Sequence, residues 1–370
     1  MTTEIDLASA EVILGSLNDG LYVCDKDRKI LYWSKSAERI TGWTSQQVVG
    51  RRCLDNVLNH VDKDGRQLCG EEFCPLHRSM CTNKGSSTPL IVFGQTSGGG
   101  RLPMTVSVAP IHDADGLVVG GVETFHDFSE TYADLMRAKR IQTLSMNHDL
   151  PKDDRVNFKT FYLPHDMVGG DYIAIRQLGP DHYGFILADV MGHGVAAALY
   201  TMHLSALWER YSPDLVHPPL FAQHMNRELC KVVQDESFAT AVCGVMDVSR
   251  KTVRVTSAGG PPLVLFKSDG STELIEAQGF PFGMIDDADY EESEYQCDSG
   301  DCLLMFSDGV IEIQDATGHL LGTEGLISVM KSLEYPESFI RIESLQKALL
   351  TSSNEIRLDD DLSLLEVRFL

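Results

Sequence analysis

Positive charge is scarce in this chain. There are 31 Lys+Arg against 54 Asp+Glu, a formal net charge of −23. So acidic a surface repels the phosphates of nucleic acids and of anionic membranes, and neither is expected as a partner. Long apolar runs are also missing: no window reaches the ~18 uninterrupted apolar residues of a transmembrane helix. The opening Met1-Thr-Thr-Glu-Ile-Asp-Leu has no basic segment of the kind that starts an export signal. No repeat, low-complexity tract or CxxC pair occurs. The nine cysteines are odd in number. Without an export signal they are expected to be reduced thiols in a cytoplasm.

The remaining composition is that of a globular protein. Hydrophobic residues make up 43% and charged residues 23%, which excludes disordered, collagenous and small disulfide-bonded classes. At about 150 residues per domain, the 370 residues suggest two or three domains.

Residues 9–127 read as a small α+β unit. Helical spacing over 10–17 ends at Asn18-Asp19-Gly20, a turn signal. Strands are expected at 21–24 and 29–33, then short serine-capped helices at 36–40 and 45–49. Three more strands follow at 89–93, 102–109 and 117–125. Ser97-Gly-Gly-Gly-Arg and Asp113-Ala-Asp-Gly link them as hairpin loops. This order, with Ile40-Thr-Gly-Trp43, Val49-Gly50 and the closing Gly121-Val-Glu-Thr-Phe-His-Asp-Phe-Ser-Glu130, resembles a PAS domain.

Over 128–150, Tyr132, Leu135, Met136, Ile141 and Leu144 recur near helical spacing until Asp149-Leu-Pro151 stops the pattern. This predicts a helix joining two domains. It is read either as a signalling helix, paired between subunits, or as a solvated connector.

Beyond 150, strands are expected at 183–190, 240–248, 252–256, 263–267, 302–307 and 362–369. Helices are expected at 194–208, 216–234 and 323–332. Aspartates recur beside the apolar pieces: Val168-Gly-Gly-Asp171, Phe185-Ile-Leu-Ala-Asp189, Leu303-Leu-Met-Phe-Ser-Asp308 and Leu358-Asp-Asp360-Asp361. An Asp before Gly is ordinarily a turn residue. An Asp at the end of a buried strand, however, is costly unless paired or bound to a cation. Four in one domain point to hard divalent ions such as Mg²⁺ or Mn²⁺.

These segments stand in order with Ala188-Asp189-Val-Met-Gly-His-Gly-Val-Ala-Ala-Ala198, Ser257-Ala-Gly-Gly-Pro-Pro262, Gly300-Asp-Cys-Leu-Leu-Met-Phe-Ser-Asp-Gly-Val-Ile-Glu312 and Asp360-Asp-Leu-Ser-Leu-Leu365. Together they resemble the PPM-type metal-dependent serine/threonine phosphatases, in the bacterial branch of stage II sporulation E-like and stress-sigma-regulator phosphatases. The fold class implied is α+β. It comprises a PAS domain at 9–127 (antiparallel sheet with short helices), a helical linker at 128–150 and a PPM phosphatase β-sandwich flanked by helices at 151–370.

The resemblance implies that Asp171 and Asp189 are the catalytic pair and, with the Val190 carbonyl, Asp308 and Asp360, hold two Mn²⁺ or Mg²⁺ ions. Asp361 is a neighbour whose register rests on Leu362-Ser363, and Gly169, Gly170 and Gly192 let the backbone approach. A two-ion site activates water for in-line attack on phosphorus. His193, between two glycines, is read as setting the loop rather than as an acid. The family often has Ala-Gly-His-Pro-Pro where this chain has Ala258-Gly-Gly260-Pro-Pro, so altered substrate contact is expected there. Gly169-Gly170-Asp171 is not read as a cyclase signature, because its flanks match the phosphatase.

A second group, Cys53, His60, Cys69, Cys74, His77 and Cys81, lies in the PAS-like half. A metal, a haem, a redox-sensitive thiol pair or plain reduced cysteines all suit it, and the PAS ligand is unidentified. The reading is therefore a cytoplasmic, PAS-regulated protein phosphatase, homodimeric, acting on a phosphoserine or phosphothreonine of an anti-anti-sigma (STAS) protein. The rivals are a sequestering pseudophosphatase and a two-metal hydrolase of a phosphorylated metabolite.

Overall fold

A computed structural model describes residues 14, 16–63, 65–70, 73–86, 90–146, 149–192, 194–232, 237–276, 278–314, 318–336, 344–345, 348 and 360–370. The helix expected over 10–17 falls mainly outside them, as does His193. By its own contacts the chain divides into two units, Met1–Asp134 and Leu135–Leu370.

The first unit is a five-stranded antiparallel sheet in the order β2-β1-β5-β4-β3. Its strands are β1 (Gly20–Asp25), β2 (Ile30–Trp33), β3 (Leu90–Gln95), β4 (Arg101–His112) and β5 (Val118–Asp127). Helix α1 (Lys35–Thr41) starts where the Ser34 hydroxyl accepts the Ala37 N–H at 3.1 Å. It stops at Gly42, whose φ of 75° suits a residue without Cβ. Helix α2 (Ser45–Val48) follows. Helix α3 (Pro75–Thr82), which the periodicity does not reveal, runs for only two turns between Pro75 and a left-handed Asn83. The helices cover one sheet face, burying Tyr22, Ile30, Trp33, Val57, Leu58, Leu76, Met104 and Phe125 together.

Helix α4 (Ser129–Met146) forms where a linker helix is expected. Its periodic apolar residues divide: Tyr132 and Leu135 are half-buried. Met136, Ile141 and Leu144 are exposed, and the one buried side chain of the helix is Gln142.

The second unit stacks two five-stranded antiparallel sheets, ordered β13-β10-β9-β8-β7 and β12-β11-β14-β15-β6. The first comprises β7 (Asp171–Gln177), β8 (His182–Val190), β9 (Ala239–Asp247), β10 (Thr252–Ala258) and β13 (Ser293–Gln296). The second comprises β6 (Val156–Leu163), β11 (Leu263–Phe266), β12 (Thr272–Ile275), β14 (Cys302–Phe306) and β15 (Leu362–Phe369). Inward-facing residues such as Ile173, Phe185, Leu187, Val242 and Val255 meet Phe158, Leu265, Leu303, Leu365 and Val367 in one core. The outer face of the first sheet is covered by α5 (Val195–Tyr211) and α6 (Pro218–Cys230), with Trp208 and Phe221 edge to face. The short α7 (Asp308–Ile311) and α8 (Gly322–Ser332) cover the second. With helices on both outer faces, the central strand β14 reads as an unbroken apolar run, and all eight residues of β15 are buried, Ser363, Glu366 and Arg368 among them.

Strand ends differ from expectation in one respect that matters for the site. Asp171 does not end an apolar piece; it opens β7. Gly169-Gly170 gives the preceding apolar residue a turn rather than a strand.

Candidate active site

Antiparallel pairing of β7 with β8 sets Asp171 directly opposite Asp189 at one end of the sandwich. From the facing sheet, β14 ends two residues before Asp308, which opens α7, and β15 is preceded by Asp360-Asp361. Topology thus gathers four aspartates distant in sequence.

Backbone packing holds them there. The Asp361 carboxylate is buried, and it accepts backbone N–H bonds from His165 at 2.6 Å, Gly170 at 2.5 Å and Asp171 at 3.3 Å. It therefore fixes the loop that carries Asp171. The Asp360 carboxylate accepts the Asp361 N–H at 2.8 Å. The Ser307 hydroxyl donates to the Asp361 carbonyl at 3.2 Å and accepts the Ser363 N–H at 3.0 Å, locking the end of β14 to the start of β15. A Cβ on Gly170 would stand 2.7 Å from the Val190 carbonyl, so only glycine fits. A Cβ on Gly169 would collide with the Asp361 carboxylate and the Tyr162 hydroxyl.

The charges are unbalanced. Both carboxylate oxygens of Asp171 and Oδ1 of Asp308 are buried without a hydrogen-bond partner. Burial, with Asp361 adding like charge, pushes the Asp171 carboxyl well above its ordinary range. Burial, then Asp171, Asp308 and Asp360, push Asp189 up to about 10. Burial and the same kind of crowding raise Asp360 and Glu312. Oxygen donors short of positive charge form a donor set for a hard divalent cation. Among the described residues, no three of these carboxylates bring an oxygen within 4.8 Å of one another. The donors are spread wider than one ion's shell.

Sequence reasoning named Asp171, Asp189, Val190, Asp308 and Asp360, and the structure brings these to one end of the sandwich. It missed Gln142, Tyr162, Ser307, Glu312 and Ser363. The Gln142 side-chain amide donates to the Gly169 carbonyl at 2.7 Å and to the Thr201 hydroxyl at 2.8 Å. It accepts the Gly169 N–H at 3.3 Å. Nothing in its local sequence marks it, a single polar residue between Ile141 and Thr143. Glu312 stood inside the quoted motif and was given no role. At Gly260 a Cβ would stand 2.8 Å from Val242 and 2.9 Å from the Ala241 backbone, so β9 occupies the room a larger residue needs.

Residues 179–370 match the family described as Stage II sporulation protein E (SpoIIE), and residues 14–133 match the PAS fold. The phosphoserine phosphatase RsbP of Bacillus subtilis (strain 168) is 28% identical over 186 residues, 49% of this chain and 46% of that protein. The phosphoserine phosphatase RsbU of the same organism is 23% identical over 192 residues, 52% of this chain and 57% of that protein. The chain spans about half the length of these curated relatives. Among solved structures, the SiaA-PP2C domain of Pseudomonas aeruginosa has a TM-score of 0.56 at 19% identity, covering 65% of this chain and 97% of that one. The PP2C phosphatase domain of SpoIIE from Bacillus subtilis, with a fragment of its regulatory domain, has a TM-score of 0.53 at 17% identity, covering 77% of this chain and 80% of that one. Those likenesses are of fold, a PP2C-type double sheet. Since the sequence match at 179–370 takes in more than half of the residues and the aspartates sit where two such sheets converge, the chain belongs to the SpoIIE family.

Proposed function

We propose that the protein is a metal-dependent protein serine/threonine phosphatase controlled by a PAS domain within residues 9–127. The observation that carries this reading is the buried cluster of carboxylate oxygens, above all those of Asp171, with no protein partner. Asp171, Asp189, Asp308, Asp360 and the Val190 carbonyl would hold the ions, and their spread suits two ions better than one. Held there, Mn²⁺ or Mg²⁺ supplies Lewis acidity, making hydroxide available near neutral pH and offsetting charge on the phosphoryl oxygens.

The chain's own part is positional. Asp361 anchors the loop of Asp171 through three backbone bonds. Gly169 and Gly170 let that loop lie against β15 and the Val190 carbonyl. Gln142 ties the same loop to α4, which supports the reading of residues 128–150 as the element that transmits the PAS state. The exposed Met136, Ile141 and Leu144 support pairing of α4 with a second copy. The names of RsbP and RsbU favour a phosphoserine substrate, and the family resemblance favours one on an anti-anti-sigma (STAS) protein.

The test is phosphate release from a phosphoserine STAS protein, with and without Mn²⁺, for the wild type and Asp189→Asn. Release that needs Mn²⁺ and falls by more than about a hundredfold in the variant is expected, because even outer supports of a metal site cost 10–100-fold. Binding of the phosphoprotein without release, in Mn²⁺-loaded wild type, would instead make the chain a sequestering pseudophosphatase. Faster hydrolysis of small phosphoesters than of the protein would move the substrate to a metabolite.

A further inference from the structure

The first unit contains a second polar cluster, remote in sequence from the aspartates and of different chemistry. Cys53 and Cys69 bracket a loop that folds back on itself, with Val61 bridged to Gln67 and to Phe93 of β3. The two Sγ atoms come within 3.5 Å. His60 lies between them in sequence and beside them in space: one ring nitrogen and the two sulfurs all fall within 4.8 Å of one another. Glu123 projects from β5, and its Oε1 stands 3.6 Å from His60 Nε2.

Burial makes this arrangement informative. His60 is 3% exposed and Glu123 1%. His60 Nε2 and Glu123 Oε1 face each other, yet neither makes a hydrogen bond. Leaving those two facing atoms buried and unbonded is costly, and apolar residues of the same volume would serve a plain core better. Two further contacts prepare the donors. The His60 backbone N–H donates to Cys69 Sγ at 3.0 Å, which fixes that sulfur beside the imidazole. The Tyr22 hydroxyl donates to Glu123 Oε2 at 3.2 Å, leaving Oε1 free to face the cluster. A carboxylate set against the imidazole is a usual outer partner of a ligating histidine.

We propose that Cys53, His60 and Cys69 form a site for one thiophilic divalent metal ion of the zinc class, with Glu123 as the outer carboxylate against the imidazole. Two sulfurs and one imidazole nitrogen make a soft three-donor set of the kind zinc takes, with a fourth position for water. The hard carboxylate end of the sandwich has no sulfur or imidazole donor among its proposed ligands, so the two sites select different ions. On binding, Cys53 and Cys69 give up their thiol protons to solvent. The ion would close the 53–69 loop, whose His60 faces Glu123 of the central strand β5.

The experiment uses the full chain, stripped of metal and titrated with Co²⁺ and Zn²⁺. Co²⁺ is expected to produce a thiolate-to-metal charge-transfer band at one ion per chain. The band should persist in Asp189→Asn, which alters only the carboxylate site, and vanish in Cys53→Ser/Cys69→Ser. Glu123→Gln should weaken Zn²⁺ affinity about tenfold. A measurement on the wild type avoids dependence on variants that fail to fold: bound Zn²⁺ should protect Cys53 and Cys69 from alkylation while exposed Cys81 stays reactive. Absence of the band, its survival without both cysteines, or equal alkylation with and without Zn²⁺ would overturn the proposal. So would a Cys53–Cys69 disulfide in protein isolated under anaerobic, reducing conditions.

Discussion

Gln142→Ala asks whether α4 holds the active-site loop. The substitution removes the bonds to the Gly169 carbonyl at 2.7 Å, the Thr201 hydroxyl at 2.8 Å and the Gly169 N–H at 3.3 Å. Thr201 is not stranded, because its hydroxyl still donates to the Ala198 carbonyl at 2.8 Å. Gly169 is affected at both of its backbone groups, in a place where the glutamine is only 3% exposed. Leaving a buried donor or acceptor unmade costs about 1–3 kcal/mol. The short carbonyl bond counts fully and the long N–H bond less, so about 2–4 kcal/mol is at stake. If that free energy falls on the loop that carries Asp171, then at 1.4 kcal/mol per factor of ten the competent loop becomes about 30- to 700-fold rarer. The assay is a Mn²⁺ titration of phosphate release well below Tm. The expected signature is a higher Mn²⁺ requirement together with a fall in kcat/KM, although Gln142 is not among the proposed ligands. Gln142→Glu should be no better, since it loses the donor to Gly169 and adds buried charge near Asp361. A Mn²⁺ requirement and kcat/KM within about twofold of wild type would refute the reasoning, whatever happened to Tm.

Two other outcomes follow from the same geometry. Asp361→Ala strands three backbone N–H groups and should cost about 3–5 kcal/mol in urea unfolding, the usual range for breaking a buried charged network; a loss under about 1 kcal/mol would show that the loop is held by other means. In chelated protein, burial and the neighbouring aspartates hold Asp189 protonated up to about 10 when folded, while the unfolded chain releases that proton near the ordinary Asp value of ~3.9. The folded state then binds more protons than the unfolded one across that window, so stability falls as pH rises. Urea midpoints should drop between pH 5.5 and 8, less steeply in Asp189→Asn and with Mn²⁺ present. Parallel slopes for wild type and variant would contradict this.

Periodicity and turn chemistry carried much of the architecture, for reasons visible in particular residues. Strands bounded by turn formers, such as β4 and β5 around Asp113-Ala-Asp-Gly, were legible within a few residues. So was β15, whose leucine-rich start follows three aspartates. Less legible were elements whose pattern is set by partners elsewhere. β6 alternates Asn157, Lys159 and Thr160 with apolar residues and gains strand character by pairing along all of β15. α3 needs Pro75 and Asn83 to delimit two turns that no apolar stripe announces. On α4 the periodic residues announced the helix, but not Gln142, whose hydrogen bonds fasten it to the Gly169 loop.

The same contrast separates the aspartates from their supports. A carboxylate beside a buried apolar strand is conspicuous because it costs free energy there, and four such anomalies narrow the reading without any structure. Asp361 and Gln142 cost nothing visible in sequence: one is the third of three successive aspartates, the other a polar residue on a polar helix. Their roles exist only in the fold, where Asp361 accepts from the Asp171 loop and Gln142 grips that loop at Gly169. It follows that the sequence marks the groups that would touch the ions, whereas the residues that set how firmly those groups are held are identified by their hydrogen bonds. Control by a sensor domain would act on the second set. A change at Gln142 would reach Asp171 through two residues of backbone, without altering any carboxylate.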